Sequence, residues 1–355
     1  MIVSSSQDKP KSRVNQATQL TVAPDPNEGK NVVLDTSDTV KLRPQSLEEY
    51  IGQEKVVSQL KLIIHSAKLR EVLPEHILFY GPPGLGKTTL ANLVAKELGC
   101  TIKTVTAASL QKVGDLVSLL VNLEGRTVLF IDEIHRLKAP LEETLYSAME
   151  DGKIDILVGK GQGANTLKLD LEPFVLIGAT TQVGKLSKPL RDRFINVFRL
   201  DTYSDSDMLT LVDRNAQLLR LNLTDEAKML ICRRSRGVPR IANNILKRIV
   251  DWQTVHQLTT VDLVQVEEFL LKLGIYDKGL TKTDLTYLRS LRQGSLSLSS
   301  LSAILMEEPE TLELVTEPFL LHLGFIEKDS SGRKLTPKGR QFLETFDGDS
   351  IVHLL

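Results

Sequence analysis

Apolar positions along the chain fall into three stretches of different rhythm. From Gly52 to Leu69, Val56, Val57, Leu60, Ile63, Ile64 and Ala67 recur at helical spacing. Continuous apolar runs then alternate with amphipathic windows, predicting strands at 77–80, 102–106, 127–131 and 174–179 and helices at 87–98, 113–121 and 140–149. Runs that are apolar on both faces belong inside a parallel sheet, so this part is expected to be α/β, a parallel sheet with helices on both faces. Within it, Ile154, Ile156 and Val158 alternate before Gly159-Lys160-Gly161-Gln162-Gly163, and Leu167, Leu169 and Leu171 after it. That pattern predicts a β-hairpin inserted at 152–171.

After Arg193 the rhythm is helical through 206–220, 224–235, 238–254 and 260–273, with hardly a strand signal, which predicts a small all-helical lid. Helices at about 282–292, 298–305 and 310–323 follow. A short strand at 325–328, the polar turn Asp329-Ser330-Ser331-Gly332 and Arg333-Lys334-Leu335 come next, and together these describe a winged helix. Residues 1–40 contain no aromatic residue and no sustained period and are expected to be a disordered tail. Order should begin near Leu42-Arg43-Pro44, ahead of a helix signal at Ser46-Leu47-Glu48-Glu49-Tyr50. The expected division is a tail at 1–40, a nucleotide-binding domain at 41–202, a lid at 203–276 and a winged helix at 277–355.

Charge narrows this picture only locally. The net charge of −1 gives no overall attraction to nucleic acid, and from 280 to 355 eight basic residues face eleven acidic ones. Five of those basics, Lys328, Arg333, Lys334, Lys338 and Arg340, nevertheless crowd into the wing, where only Asp329 opposes them. A DNA-contacting wing and a protein-interaction module both stay open. Cys100 and Cys232 lack metal-ligand spacing, so neither a disulfide framework nor a zinc site is expected. No apolar stretch is long enough to span a membrane and the N-terminus lacks an apolar leader core, so a soluble cytoplasmic protein is expected.

Chemistry enters behind the apolar run Ile77-Leu78-Phe79-Tyr80. Gly81-Pro82-Pro83-Gly84-Leu85-Gly86-Lys87-Thr88-Thr89 fits G-x-x-x-x-G-K-[ST], a loop whose glycines let backbone N–H groups curl around phosphate oxygens ahead of a helix N-terminus. Lys87 would sit on the β/γ-phosphates of a nucleoside triphosphate and Thr88 on Mg²⁺. Thr127–Glu133 supplies the partner carboxylates at a strand's C-terminal end: Asp132 for Mg²⁺, Glu133 for orienting the attacking water. Thr180 and Thr181 end another buried strand with two hydroxyls, and Arg191, Arg193, Arg236 and Arg240 offer guanidinium forks for phosphate.

These residues resemble one family closely, the RuvB motor of bacterial Holliday-junction branch migration, within the AAA+ ATPases. The resemblance runs from Leu42 to Arg340. It rests on Leu42-Arg43-Pro44 with Tyr50-Ile51-Gly52-Gln53, the loop Gly81–Thr89, Leu129–Leu137 and Ala148-Met149-Glu150-Asp151, and further on Ile177–Thr181, Pro189–Phe194 and Pro239–Asn243. It implies that Leu42, Arg43, Gly84, Gly86, Lys87, Thr88, Thr89, Glu150, Asp151, Gly152, Tyr203 and Arg240 contact ATP. In the same scheme Thr180 is sensor 1, Arg240 is sensor 2, and Arg193 is a finger reaching a neighbouring subunit's site. It also implies homo-hexameric rings pulling double-stranded DNA at four-way junctions, a RuvA-like junction binder docked on the 152–171 hairpin, and a junction resolvase as a further partner.

The departures gather where DNA would be held. Gln182 stands where the family usually has arginine, Ile195 where it has glycine and Val238 where it has threonine. In the wing only Lys328 and Arg333 keep the family's charge, so weak DNA contact is expected through Lys328, Arg333, Lys334 and Lys338. A switch ATPase acting on a protein partner remains the second class, and a nucleotide-binding adaptor, which Asp132 and Glu133 argue against, the third.

Overall fold

The computed structural model describes residues 42–158 and 165–352. The expected tail at 1–40 and the hairpin turn Gly159–Gly163 lie outside the described residues. Helix α1 (Glu54–Leu69) buries Val56, Val57, Leu60, Ile64 and Ala67, the face that its spacing predicts. Next come β1 (Ile77–Tyr80), α2 (Lys87–Leu98), β2 (Thr101–Thr106), α3 (Val113–Val121), β3 (Thr127–Asp132) and α4 (Ala139–Glu150). The hairpin β4 (Lys153–Val158) and β5 (Asn165–Asp170) precedes β6 (Phe174–Thr180), α5 (Lys188–Asp192) and β7 (Asn196–Arg199).

Five strands form one parallel sheet in the order β2-β3-β6-β1-β7, while β4 and β5 pair antiparallel as a separate ribbon. Strand β6 is buried throughout, and β3 up to its last residue, as their unbroken apolar runs require. On one face Leu78, Leu129, Ile131 and Leu176 pack with Leu116, Leu120, Leu141 and Leu145. A parallel arrangement sends the C-terminal ends of β1, β3 and β6 to one edge, which brings the phosphate loop, Asp132 and Thr180-Thr181 together.

Ser46–Tyr50 forms no helix; the stretch is a series of bends in which the Glu49 carboxylate accepts from the Gln45 N–H (2.8 Å), so local side-chain bonding outcompetes a single helical turn. Strand β7 was not expected after Arg193, because as an edge strand it buries only Phe198 of its four residues and shows no apolar run. The winged helix carries a further helix at its C-terminal end, α14 below, which the three-helix expectation left out.

The lid comprises α6 (Asp205–Leu218), α7 (Asp225–Arg234), α8 (Pro239–His256) and α9 (Leu263–Lys272). Ser204, Thr224 and Asp262 cap α6, α7 and α9 through side-chain oxygens, whereas Val238 ahead of α8 cannot. The C-terminal head contains α10 (Lys282–Ser290), α11 (Leu298–Leu305), α12 (Pro309–Thr311), a π-helical turn at Leu312–Thr316 and α13 (Glu317–His322). The ribbon β8 (Ile326–Asp329) with β9 (Gly332–Leu335) and then α14 (Pro337–Val352) complete it.

Lid and head are fastened by Arg236. Its Nη2 meets the buried Asp284 Oδ2 at 2.6 Å, its Nε donates to the Gly279 carbonyl (2.9 Å), and its guanidinium lies 4.2 Å from the Phe319 ring centroid. Asp284 Oδ2 also accepts from the N–H and Oγ1 of Thr281 as part of the α10 cap, so three donors converge on that one oxygen. Removing one member of such a buried pair costs about 3–5 kcal/mol.

Candidate active site

Between the sheet edge and the lid lies a cleft of about 480 Å³, a volume suited to a small ligand. Its floor is the phosphate loop. Gly84 and Gly86 have φ +83° and +105°, a region that favours glycine. A Cβ on Gly86 would lie 2.2 Å from the Tyr50 hydroxyl, and one on Gly84 would lie 2.7 Å from Val238 Cγ1. Backbone thus packs directly against the N-terminal segment and the lid, and neither position can carry a side chain. Helix α2 starts at Lys87 with no side-chain cap, which leaves its first N–H groups available to an anion. The buried Lys87 ammonium donates to the carbonyls of Gly81 (2.7 Å) and Pro82 (2.9 Å). Burial lowers its pKa, with Glu133 and Asp132 opposing the shift.

At the acidic end, the positions of Thr88 and Asp132 suit Mg²⁺. Both line the cleft, and among the described residues no cluster of three or more His, Cys, Asp or Glu is found. A magnesium site that borrows most of its oxygens from water and substrate phosphates needs no such cluster. Glu133 has φ 50° and ψ 45°, strained backbone for a residue with a side chain. Its Oε2 accepts from Thr181 Oγ1 (3.1 Å) and lies 3.1 Å from His135 Nδ1.

Of the two strand-end hydroxyl residues it is Thr181, and not Thr180 where the sensor is expected, that lines the cleft. Thr180 is fully buried, its Oγ1 accepting from Gln182 N (2.9 Å) and lying 2.8 Å from His135 Nδ1, while Thr181 lines the cleft. Neighbouring residues at a strand end point to opposite sides, so only one of the two hydroxyls can face a ligand.

At the opposite end, Leu42, Arg43, Tyr50, Tyr203, Arg214, Asn215 and Asn243 line the cleft, and Arg240 comes in from the start of α8. Tyr203 donates to the Tyr50 hydroxyl (3.1 Å), which donates to the Leu85 carbonyl (3.2 Å), tying lid, N-terminal segment and phosphate loop in one chain. Burial pushes the Tyr203 pKa up to about 12 and raises that of Tyr50 as well, so both stay protonated donors. Arg214 Nη1 donates to the Leu42 carbonyl (3.2 Å). Tyr50, Arg214, Asn215 and Asn243 were not anticipated as site residues. Of these, Tyr50 and Asn243 stood in stretches already singled out, whereas Arg214 and Asn215 did not.

Glu150, Asp151, Gly152 and Arg193 do not line this cleft. Arg193 Nη2 meets Glu150 Oε2 at 2.8 Å, Nη1 donates to the Pro189 carbonyl (2.9 Å), and the guanidinium sits 4.5 Å from the Tyr146 ring centroid. Arg193 and Glu150 thus pair with each other away from the cleft.

The wing's cations are engaged internally. Lys328 and Arg333 both bond to Glu317, which is fully buried and also accepts from Tyr287 Oη (2.7 Å); Glu313 lies 3.7 Å from Lys328 and 3.6 Å from Arg333. Lys334 pairs with Asp329 (2.9 Å) and Glu327 (3.3 Å), and Lys338 donates to the Leu323 carbonyl (2.8 Å). Of the five, Arg340 is exposed and has no such partner among the described residues.

A parallel sheet with a phosphate loop, strand-end carboxylates, a sensor hydroxyl and a helical lid delivering an arginine defines an ATPase of the AAA+ class. Family models match three consecutive parts of the chain: the Holliday junction DNA helicase RuvB P-loop domain at 42–200, the RuvB AAA lid domain at 203–276 and the RuvB C-terminal winged helix domain at 277–344. The chain belongs to the RuvB family. It is 47% identical over 311 residues to the Holliday junction branch migration complex subunit RuvB of Campylobacter fetus, covering 87% of this chain and 91% of that protein. The corresponding protein of Chloroflexus aggregans is 46% identical over 306 residues, covering 85% and 87% respectively. The solved Thermotoga maritima RuvB Holliday junction branch migration motor superposes with a TM-score of 0.77 at 41% identity, covering 85% of this chain and 98% of that one.

Proposed function

We propose that this protein is the ATP-driven motor subunit of Holliday-junction branch migration in DNA recombination and repair. In this reading it works in the cytoplasm as homo-hexameric rings on double-stranded DNA at four-way junctions. A RuvA-like junction binder docks on the β4–β5 hairpin, and a junction resolvase acts on the same complex. The observation that carries the reading is the single cleft uniting Lys87, Thr88, Asp132, Glu133, Thr181 and Arg240, in a chain whose three parts all match RuvB models.

ATP enters with its phosphates on the loop N–H groups and the start of α2, and Lys87 exchanges its loop carbonyls for β/γ-oxygens. Mg²⁺, held by Thr88 and Asp132, would supply charge neutralisation at those oxygens. Glu133 orients the attacking water, and Thr181 reports the γ-phosphate. Arg240 brings the lid down, and Arg193 leaves Glu150 to complete the site of the next subunit. Hydrolysis then changes the pose of neighbouring subunits and hands DNA phosphates along the ring, a grip that reads no sequence. No helix among the described residues is long and apolar enough to cross a membrane.

The test measures ATP turnover and junction dissociation together on a mobile four-way substrate, with and without a RuvA-like partner, using Lys87→Ala as the blank. Both activities should appear in the parent and vanish in the blank. Turnover stimulated by a protein ring, with no junction movement under any condition, would replace the motor with a switch ATPase.

A further inference from the structure

A carboxylate that orients water must keep one oxygen free and the other fixed, so what fixes it bears on the rate. Glu133 Oε2 gathers three neighbours: Thr181 Oγ1 at 3.1 Å, Thr181 N at 3.4 Å and His135 Nδ1 at 3.1 Å. Thr181 is a poor permanent restraint, because its hydroxyl also faces the cleft and is the group a γ-phosphate would draw away. His135 has no such alternative. Its side chain is only 8% exposed, and the same Nδ1 lies 2.8 Å from Oγ1 of the fully buried Thr180.

One nitrogen therefore faces two oxygens, and its proton decides what it does. A bare Nδ1 can accept the Thr180 hydroxyl proton but only repels the Glu133 carboxylate. An Nδ1–H can serve both oxygens, hydrogen-bonding Thr180 Oγ1 at 2.8 Å with Glu133 Oε2 3.1 Å away, and Thr180, which also accepts from Gln182 N at 2.9 Å, fixes the ring at that nitrogen. The favourable tautomer is thus the one that carries its proton toward Glu133. Packing supplies the rest of the rigidity: Ile134 beside it is fully buried, and Leu137 closes the same turn.

We propose that His135 is the positioning residue for Glu133, its Nδ1–H backed by Thr180 pinning Oε2 so that Oε1 is left to the attacking water. The inference rests on the ATPase reading above and deepens it. A positioning residue that acts only on the water-orienting group should alter turnover and spare nucleotide binding. Asparagine places an amide N–H close to where Nδ1 stands, whereas leucine fills the space without a donor.

The experiment compares steady-state ATP turnover and nucleotide affinity of the full-length protein with junction DNA, for the parent, His135→Leu, His135→Asn and the Lys87→Ala blank. His135→Leu should lower kcat by about tenfold or more with KM and nucleotide affinity within about twofold, and His135→Asn should recover most of the loss. A kcat within twofold of the parent in His135→Leu would overturn the proposal, and so would a loss shared equally with nucleotide affinity. If His135→Leu fails to fold, His135→Asn decides alone, and a tenfold fall in its kcat would count against the pin. A parent that turns over no faster than Lys87→Ala removes the ATPase reading itself, an outcome separate from any difference among the His135 variants.

Discussion

Glu317→Gln is the substitution on which the account of the wing stands most exposed. Glu317 accepts from Tyr287 Oη (2.7 Å) and from Arg333 Nε (2.9 Å) and Nη2 (3.4 Å), and it also holds the Lys328 ammonium, all from a fully buried position. Hydrogen bonds to a charged group contribute about 1.5–3 kcal/mol each. The amide keeps one carbonyl acceptor and loses the charge, and Lys328 and Arg333, being partly exposed, regain some hydration. The net loss should therefore be about 2 kcal/mol, below the 3–5 expected for deleting a buried partner outright. Because a local loss of about 2 kcal/mol changes opening by roughly thirtyfold, hydrogen exchange at the β8 and β9 amides should accelerate by about that factor. Trp252, whose ring lies 5.2 Å from that of Phe269 in the lid and tilted 51° to it, gives an internal control, and its thermal transition should not move. Two released cations should also steepen the salt dependence of duplex binding by roughly 0.9 per cation in log–log slope. Exchange in the ribbon unchanged within threefold, together with an unchanged salt slope, would refute the view that Glu317 both fastens the wing and neutralises it.

The same residue sets a pH dependence. Burial acts to raise the Glu317 pKa, but the bonds from Arg333, Lys328 and Tyr287 outweigh it and leave the value below the ordinary 4.5. Its stabilisation is therefore complete above pH 4.5 and disappears as pH falls through the depressed folded value, so ribbon protection should decline there in the parent and less steeply in Glu317→Gln. Thr181→Val should cut ATP turnover at least tenfold with binding largely kept, whereas Thr180→Val should act through His135 and cost less; equal losses in steady-state kinetics would argue against the assignment of the cleft-facing hydroxyl. Arg193→Ala should bind nucleotide yet not hydrolyse it, and mixing it with Lys87→Ala subunits should restore part of the turnover at hybrid interfaces; no recovery at any ratio would contradict a site shared between subunits. Arg236→Ala should leave basal ATP turnover within about twofold while junction dissociation falls at least fivefold, and a proportional loss of both would show that Arg236 does not couple lid to head.

The sheet and its helices were legible in the sequence because unbroken apolar runs and the phosphate loop leave few alternatives. Lys87 to Leu98 and Val113 to Val121 form the expected helices end for end. Legibility stopped where position depends on partners far apart in the chain. The choice between Thr180 and Thr181 turns on which side of a strand end faces the cleft, and two consecutive threonines carry no mark of it. Lys328 and Arg333 stand out as wing charges, but the carboxylate that takes up Arg333 lies 16 residues earlier, at the end of a π-turn, and no local pattern announces it. Tyr50 sat within a recognisable stretch, yet its role depends on Leu85 and on Tyr203, 153 positions away. Strand β7 went unseen for a simpler reason, since three of its four residues are not buried.

Arg236 fastens the head and Arg240 lines the cleft, and only Gly237, Val238 and Pro239 separate them. Gly237, at φ +67°, lies so close to the Tyr203 carbonyl that a Cβ there would approach it to 2.9 Å, and Pro239 opens α8 with a fixed φ. The segment therefore has little slack in which a displacement could be absorbed. In the proposed motor, a shift of Arg240 on loss of the γ-phosphate would reach the head within the same short piece of backbone, making the chemical event and the power stroke nearly simultaneous rather than relayed across the molecule.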